Sequence, residues 1–166
     1  MAQQSSFDVT SVIDLQEVDN GLNQARKEVA QRYDFKGARA DIEFNRAEST
    51  ITLVSDDKMK IDALWEIVQA RLIRRNVPVK NFKAGEPEPA SGGAIRRVIT
   101  LQQGIPTDAA KDIVKFLKDR KLKKVQAAIQ ADQVRVSAPS KDDLQEAMRL
   151  LRDHDFGVAL QFGNYR

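Results

Sequence analysis

The sequence contains no cysteine and only one histidine, His154, among its 166 residues. Without cysteine the chain forms no disulfide bond and offers neither a thiol nucleophile nor a thiolate ligand. His154 stands between two aspartates with no serine nucleophile motif to accompany it, so we assign it a structural or surface role. A P-loop and a GxGxxG motif are also missing. We therefore expect a protein that binds without catalysis, with no metal ion and no cofactor.

Long apolar runs are missing as well. No segment approaches the roughly 20 apolar residues that a membrane span requires. The first residues lack the basic segment and apolar run of a signal peptide. With 42% hydrophobic and 31% charged residues, the composition is that of an ordinary globular protein. We therefore expect a cytoplasmic protein that makes no contact with a membrane.

Glycine and proline are sparse, with 8 and 5 residues, but they cluster in residues 84–93. This segment reads Ala-Gly-Glu-Pro-Glu-Pro-Ala-Ser-Gly-Gly, a composition that is typical of a linker or long loop. It divides the chain into a first domain at residues 1–90 and a second at residues 91–166.

The same order of elements is predicted on each side of this segment: strand, helix, strand, strand, helix, strand. Apolar spacings of three and four predict helices, and alternation predicts strands. Asp14, Pro106 and Ser140 are expected at helix starts. The elements are 7–12, 14–33, 40–44, 51–53, 56–75 and 77–82 in the first half, and 95–102, 106–121, 125–129, 134–136, a helix from 140, and 160–165 in the second.

This order predicts an α+β protein with two tandem ferredoxin-like, or RNP-like, βαββαβ domains. Each domain would have an antiparallel sheet with helices on one face and the other face free. The residues of the two halves hardly match, so the repeat is one of topology. Exchange of the first or last strand between the domains stays open.

The charge of the two halves differs. Residues 1–94 contain 13 Lys/Arg and 15 Asp/Glu, whereas residues 95–166 contain 14 and 9. The positive excess therefore lies in the second half, where it predicts a phosphate-binding surface. Three lysines share a helix face and two arginines begin a strand, while a glutamine and an arginine point from the open sheet face. The candidate residues are Arg96, Arg97, Lys111, Lys115, Lys118, Lys123, Lys124, Gln126 and Arg135.

Two structural interpretations stand beside these functional ones. Lysines on an amphipathic helix often serve only to keep its outer face hydrated. The pair Arg71 and Arg75 forms an Arg-x-x-x-Arg pattern that one class of cyclic di-GMP receptor uses. Here the pattern ends a predicted helix without the companion motif of those receptors, so we favour a structural role for both arginines.

With these segments in view, the chain resembles the YajQ family of bacterial proteins from end to end. The segments that carry the resemblance are Ser6-Phe7-Asp8-Val9, Arg32-Tyr33-Asp34-Phe35-Lys36-Gly37, Gln103-Gly104-Ile105, 110–115, 121–127, 134–137, 141–145 and 160–166. The resemblance implies two RNP-like domains and a nucleotide-binding role. In some members of the family the ligand is cyclic di-GMP, with regulatory protein partners; nucleoside triphosphates and tRNA are also implied.

Three functions follow as hypotheses. The first is a nucleotide sensor for cyclic di-GMP, or for GTP or ATP, that acts on a partner such as a transcription regulator. The second is a module that binds RNA, tRNA in particular, through the same lysines. The third is an adaptor that contacts other proteins and whose lysines are only a hydrated face.

Overall fold

The computed structural model describes residues 4–120, 122 and 124–166 and contains helices packed on antiparallel sheets. The helices are α1 (Leu15–Gln31), α2 (Lys58–Arg74), α3 (Thr107–Asp119) and α4 (Lys141–Asp153). The strands are β1 (Ser5–Thr10), β2 (Ala40–Asn45), β3 (Thr50–Ser55), β4 (Phe82–Ala84), β5 (Glu88–Pro89), β6 (Ile95–Leu101), β7 (Gln126–Gln130), β8 (Gln133–Ala138) and β9 (Gln161–Gly163). No helix in the described ranges is long and apolar enough to cross a membrane.

The helix starts follow the sequence. The Asp14 carboxylate accepts hydrogen bonds from the backbone N–H groups of Gln16 and Glu17, at 3.0 and 3.4 Å. The Ser140 hydroxyl accepts one from the Asp143 backbone at 3.4 Å. Pro106 directly precedes α3, where its missing N–H is not needed. Local capping residues therefore determine where three of these helices begin.

The strands form two sheets, ordered β7-β8-β1-β9 and β2-β3-β6-β4, with β5 also paired to β6. All of the pairings are antiparallel. The two ferredoxin-like domains that the sequence predicts are thus confirmed, each as a sheet with its own pair of helices.

The first strands are exchanged between the two halves of the chain. β1 lies between β8 and β9, and β6 lies between β3 and β4. Residues 13–102 therefore form one compact unit, which we call the continuous unit. Residues 4–12 and 103–166 form the other, the discontinuous unit. This arrangement differs from the division at residue 90 that the sequence predicts.

The glycine- and proline-rich segment explains the difference. Instead of linking two domains, it continues along the β6 edge inside the continuous unit. The Gly85 N–H donates to the Val98 carbonyl at 2.8 Å, and Glu88 and Pro89 pair with Arg96 and Ile95. Proline is tolerated there because an edge strand does not need every N–H for pairing.

Each unit has a separate hydrophobic core, formed by its helices and the inner face of its sheet. Burying one large apolar side chain contributes about 1.5–3 kcal/mol. The fully buried residues include Leu22, Ile51, Leu64, Leu72 and Ile99 in the continuous unit, and Phe7, Val9, Ile113, Val134 and Leu151 in the discontinuous unit.

The exchange also redistributes the charge. The continuous unit contains 15 Lys/Arg and 14 Asp/Glu, and the discontinuous unit contains 12 and 10. Asp8 moves to the discontinuous unit, while Arg96 and Arg97 move to the continuous one. The strong contrast between the two halves of the sequence therefore does not hold for the two folded units.

Candidate functional site

The predicted lysine surface is exposed in the discontinuous unit. Lys111, Lys115 and Lys118 all lie on the solvent side of α3. Lys124 is exposed in the turn before β7, with a φ of 65°. None of these four has an ion-pair partner in the part of the chain that the structure describes. Lys123 lies outside the described residues.

The outer sheet face of the same unit is less available than the sequence predicts. Gln126 is exposed at the start of β7, but the Arg135 guanidinium is paired with Asp8. Arg135 Nε donates to Asp8 Oδ1 at 2.9 Å, and Asn164 Nδ2 donates to Asp8 Oδ2 at 2.6 Å. Asp8 is only 6% exposed, so its charge requires these partners. A shallow pocket of about 530 Å³ beside this pair also contains Thr10.

This pairing shifts the pKa of both groups. The hydrogen bonds from Arg135 and then Asn164 hold the pKa of Asp8 below its ordinary value. The same carboxylate raises the pKa of Arg135. Because its charge is already compensated, Arg135 is a weaker phosphate ligand than a free arginine.

Arg96 and Arg97 lie in β6 and therefore in the continuous unit. Arg96 Nη2 is 3.9 Å from Glu88 Oε1. Arg97 Nε donates to the Gly85 carbonyl at 2.8 Å, and its Nη1 lies 3.4 Å from Asp62 Oδ1. Because of the strand exchange, the structure does not bring these arginines into one unit with Arg135. The predicted set of phosphate-binding residues is thus divided.

The Arg-x-x-x-Arg pair joins α1 to α2. Arg71 Nε donates to Glu28 at 2.8 Å, and Arg75 Nε donates to Glu17 at 2.7 Å. This pairing lowers the pKa of Glu17. The geometry supports the structural interpretation of the pattern.

A larger concave site lies beside α4 in the discontinuous unit. We call it the α4 groove, and its volume is about 850 Å³. Its apolar wall includes Phe7, Leu144 and Met148. Its rim combines an exposed aromatic ring with four cationic side chains. These rim residues are Lys141, Arg149, Arg152, Tyr165 and Arg166.

Backbone pairing holds the aromatic ring in place. The Arg166 N–H donates to the Ser6 carbonyl at 3.0 Å, and the Ser6 N–H donates to the Arg166 carbonyl at 3.2 Å. Tyr165 is thereby fixed next to β1, with its ring centroid 6.5 Å from that of Phe7. The Tyr165 hydroxyl lies 3.8 Å from Met148 Sδ, and the side chain remains 63% exposed. Much of the ring is therefore exposed to solvent.

The cations of the groove differ in their availability. Arg149 pairs with Glu146, which lowers the pKa of that carboxyl, and also lies 3.6 Å from Asp153. Arg152 instead stacks over the Phe162 ring at 5.2 Å. Within the described residues, Arg152 has no carboxylate within 4.0 Å, and the same is true of Lys141 and Arg166. The groove therefore offers one aromatic ring and three cations without such a partner, beside the carboxylates of Asp142 and Glu146.

Sequence reasoning missed this groove because three distant segments build it. One signal was present: Lys141, Gln145, Arg149 and Arg152 recur at spacings of four, four and three along α4. Such spacing places polar and basic groups on one helix face, which is equally typical of a hydrated surface. Only the tertiary structure sets Tyr165 and Arg166 opposite that face.

The side chains of the groove are suited to one kind of ligand. A planar aromatic or heterocyclic ring can stack on Tyr165, while guanidinium and ammonium groups bind an anion such as phosphate. No group of three or more histidine or carboxylate residues suited to a metal ion occurs in the described ranges. The lining of the groove suits an anionic ligand that carries a planar ring.

Comparison with known proteins gives a consistent picture. A family model described as "Nucleotide-binding protein YajQ-like" matches residues 5–166. A protein of Solibacter usitatus is 48% identical over 162 residues, covering 98% of this chain and 97% of its own. A protein of Carboxydothermus hydrogenoformans is 45% identical over 166 residues and 100% of both chains. A protein of Geotalea uraniireducens is 47% identical over 161 residues, covering 97% of this chain and 98% of its own.

These three relatives are each named "Nucleotide-binding protein". The match extends over both units and includes the segments that form the α4 groove. The resemblance inferred from the sequence is thus confirmed over nearly the whole chain, which belongs to the YajQ-like family.

Proposed function

We propose that this protein binds a nucleotide in the α4 groove and acts as a non-enzymatic, nucleotide-responsive regulator. The observation that carries the proposal is the exposed Tyr165 ring beside the rim cations. The names of the relatives support the same class of ligand. Cyclic di-GMP is the first nucleotide to test because the family resemblance implies it, and GTP and ATP are the comparators.

The groove suits such a ligand in size and chemistry. Its volume of about 850 Å³ falls within the usual range for small-molecule sites. Stacking of a base on an aromatic side chain contributes about 1–3 kcal/mol. Arg152 and Arg166 are placed to meet phosphate oxygens, and Gln145 on the same wall is able to hydrogen-bond a base edge.

The groups that line the groove support binding without turnover as part of the proposal. A general base should have a pKa near the working pH, whereas Arg149 holds the pKa of Glu146 below its ordinary value. We therefore expect a bound nucleotide to be recovered unchanged after long incubation. Its effect would be on the affinity for a partner, such as a transcription regulator. Chromatographic detection of a nucleotide product would contradict this part of the proposal.

Calorimetry with cyclic di-GMP, GTP and ATP is the direct test. Tyr165→Leu and Arg152→Gln should each weaken binding about tenfold or more, since each removes a stacking or charge-assisted contact. Tyr165→Phe keeps the ring and should bind nearly as well as the wild type. Arg120→Gln is the matched control, because Arg120 also stacks over a phenylalanine, Phe116 at 4.4 Å, but lies outside the groove.

Two outcomes would overturn the groove assignment. One is the absence of heat with all three nucleotides. The other is binding that survives in the groove variants but is lost when Lys111, Lys115 and Lys118 are replaced by Gln. The second result would instead place the nucleotide on the surface that the sequence predicts.

RNA binding is the second candidate function, and the exposed lysines of α3 with Lys124 favour it. Affinity for tRNA should then fall steeply with salt, because each phosphate contact releases counterions. A filter-binding series over increasing salt measures this slope. An affinity that does not change with salt, or no binding at low salt, would exclude RNA binding through these lysines.

A further inference from the structure

Each sheet has one strand of a β-hairpin at its edge, β7 in the discontinuous unit and β2 in the continuous unit. The two edges differ in how well they are protected from pairing with another strand. β7, at the edge of the discontinuous unit's sheet, reads Gln-Ala-Ala-Ile-Gln and contains no charged residue. Four of its five residues are exposed, and the apolar Ile129 is 43% exposed. An exposed, uncharged edge of this kind is able to pair with a further strand.

The equivalent edge of the continuous unit is protected. β2 contains two acidic residues, Asp41 and Glu43. Arg26 reaches from α1 and donates through Nη2 and Nε to the Ile42 carbonyl, at 2.7 and 3.2 Å. Charges and a covered backbone carbonyl are devices that block strand addition. No such contact covers β7 among the described residues.

The free backbone groups of β7 can be named. Gln130 and Gln133 flank a two-residue turn, and residues in that position exchange both backbone hydrogen bonds. Because hydrogen-bonded pairs alternate along the ladder, the backbone N–H and C=O groups of Ala128 and Gln126 also point toward β8. The N–H and C=O groups of Ala127 and Ile129 therefore point outward, and no described group bonds to them.

A lysine flank of α3 lies over this edge. The Phe116 ring is 4.6 Å from that of His154, which directly follows α4, so this flank of α3 faces α4. A helix turns by about 100° per residue, which places Val114 on the opposite flank, above β7, with Lys111 and Lys118 close to it. Asp112 and Asp119 lie nearer the Phe116 side instead.

We propose that the β7 edge and this lysine flank dock an extended, acidic segment of a protein partner as an added strand. The backbone of the segment would pair with Ala127 and Ile129, and its carboxylates would meet Lys111 and Lys118. A second copy of this chain fits less well, because pairing β7 with itself would bring two lysine flanks together. The proposal concerns a different surface from the α4 groove and stands independently of nucleotide binding.

Fluorescence anisotropy of the full chain with a labelled short peptide of alternating Thr and Glu tests the charge component. Lys111→Glu combined with Lys118→Glu should weaken binding about tenfold or more, because attraction becomes repulsion. The matched control is Lys27→Glu with Lys83→Glu, two exposed lysines of the continuous unit. A peptide that alternates Thr and Lys should not bind.

The backbone component needs a separate variant. Ala127→Pro removes an outward N–H that β8 does not use, so the fold should tolerate it, whereas the docked strand would lose a hydrogen bond. Ala127→Ser keeps the N–H and is the control. Amide shifts on peptide addition should appear at Ala127 and Ile129, and retained circular dichroism would show that the proline variant is folded.

Three results would overturn the proposal. The first is peptide affinity that neither the lysine reversals nor Ala127→Pro reduces. The second is tighter binding of oligouridine than of the acidic peptide, which would assign the lysines to RNA. The third is self-association in sedimentation that Ala127→Pro abolishes, which would assign the edge to a second copy. Nucleotide calorimetry on the lysine variants should be unchanged, which separates this proposal from the groove.

Discussion

The continuous and discontinuous units share one fold, and an equivalent position on β6 and β1 shows how their side chains use it differently. In the strand register, Arg97 of β6 lies opposite Leu53 of β3, and Phe7 of β1 lies opposite Val136 of β8. Leu53 and Val136 are both buried. Arg97 ties its strand to Asp62 of α2. Phe7 is buried and lines the α4 groove. The same topology thus accommodates an ion pair in one unit and a ligand-sized groove in the other.

Replacing these two equivalent residues should give the largest difference in stability between the two units. Phe7→Ala should destabilise the discontinuous unit by about 3–5 kcal/mol, because it opens a cavity in the core. Arg97→Ala should cost the continuous unit about 1 kcal/mol or less, since its ion pair is partly exposed. Urea unfolding measures both values.

The single tryptophan makes this experiment specific. Trp65 packs on the core of the continuous unit, so its fluorescence follows that unit, whereas circular dichroism follows both. In Phe7→Ala the dichroism should change at lower urea than the fluorescence. Coincident transitions would show that the two units unfold together.

Gly104 is the next largest test, because the chain re-enters the discontinuous unit at this residue. Its φ is 81°, and an added Cβ would lie 2.4 Å from Asp132 Oδ2. Asp132 cannot easily move, since its carbonyl accepts the Ile105 N–H at 2.9 Å. Gly104→Ala should therefore cost about 3 kcal/mol or more, from backbone strain and the clash together.

The control for Gly104 lies in the same unit. Gly157 has a φ of 87° but no atom within 4 Å of an added Cβ. Gly157→Ala should cost only the backbone strain, about 1–2 kcal/mol. Equal melting temperatures for the two variants would show that the contact with Asp132 is unimportant.

The smallest expected effect concerns the Asp8–Arg135 pair. The pKa of Asp8 is held below its ordinary value of 3.8. The folded protein therefore binds fewer protons here than the unfolded chain, so the stabilisation is complete above about pH 4. It is lost as the pH falls toward the folded-state pKa. Asp8→Asn should lose about 1.5–3 kcal/mol at pH 7 and show a weaker pH dependence in acid.

Asp41→Asn in the continuous unit is the matched control. Asp41 pairs with Arg39 at 2.7 Å, but both side chains are about half exposed. Such a pair contributes about 0.5 kcal/mol. Denaturant unfolding at several pH values compares the two variants, and an equal loss in both would refute the importance of burial at Asp8.

The element order and the helix starts could be predicted because they depend on neighbouring residues. Asp14, Pro106 and Ser140 act within a single turn of helix. The pairing of Asp8 with Arg135 joins residues 127 positions apart, so no local sequence pattern predicts it. The groove was missed for the same reason, since Arg166 meets Ser6 and Tyr165 meets Met148 only in the folded chain.

The amino-acid pattern alone predicts an α+β chain with two βαββαβ repeats and a set of exposed lysines on α3. Periodicity and capping are sufficient for this, since both act over a few residues. The exchange of β1 and β6, and with it the position of Arg96 and Arg97 in the continuous unit, depends on the tertiary structure. The tertiary structure also assembled the α4 groove and left the β7 edge open. Strand pairing is long-range, and the alternation that predicts a strand does not choose its neighbour.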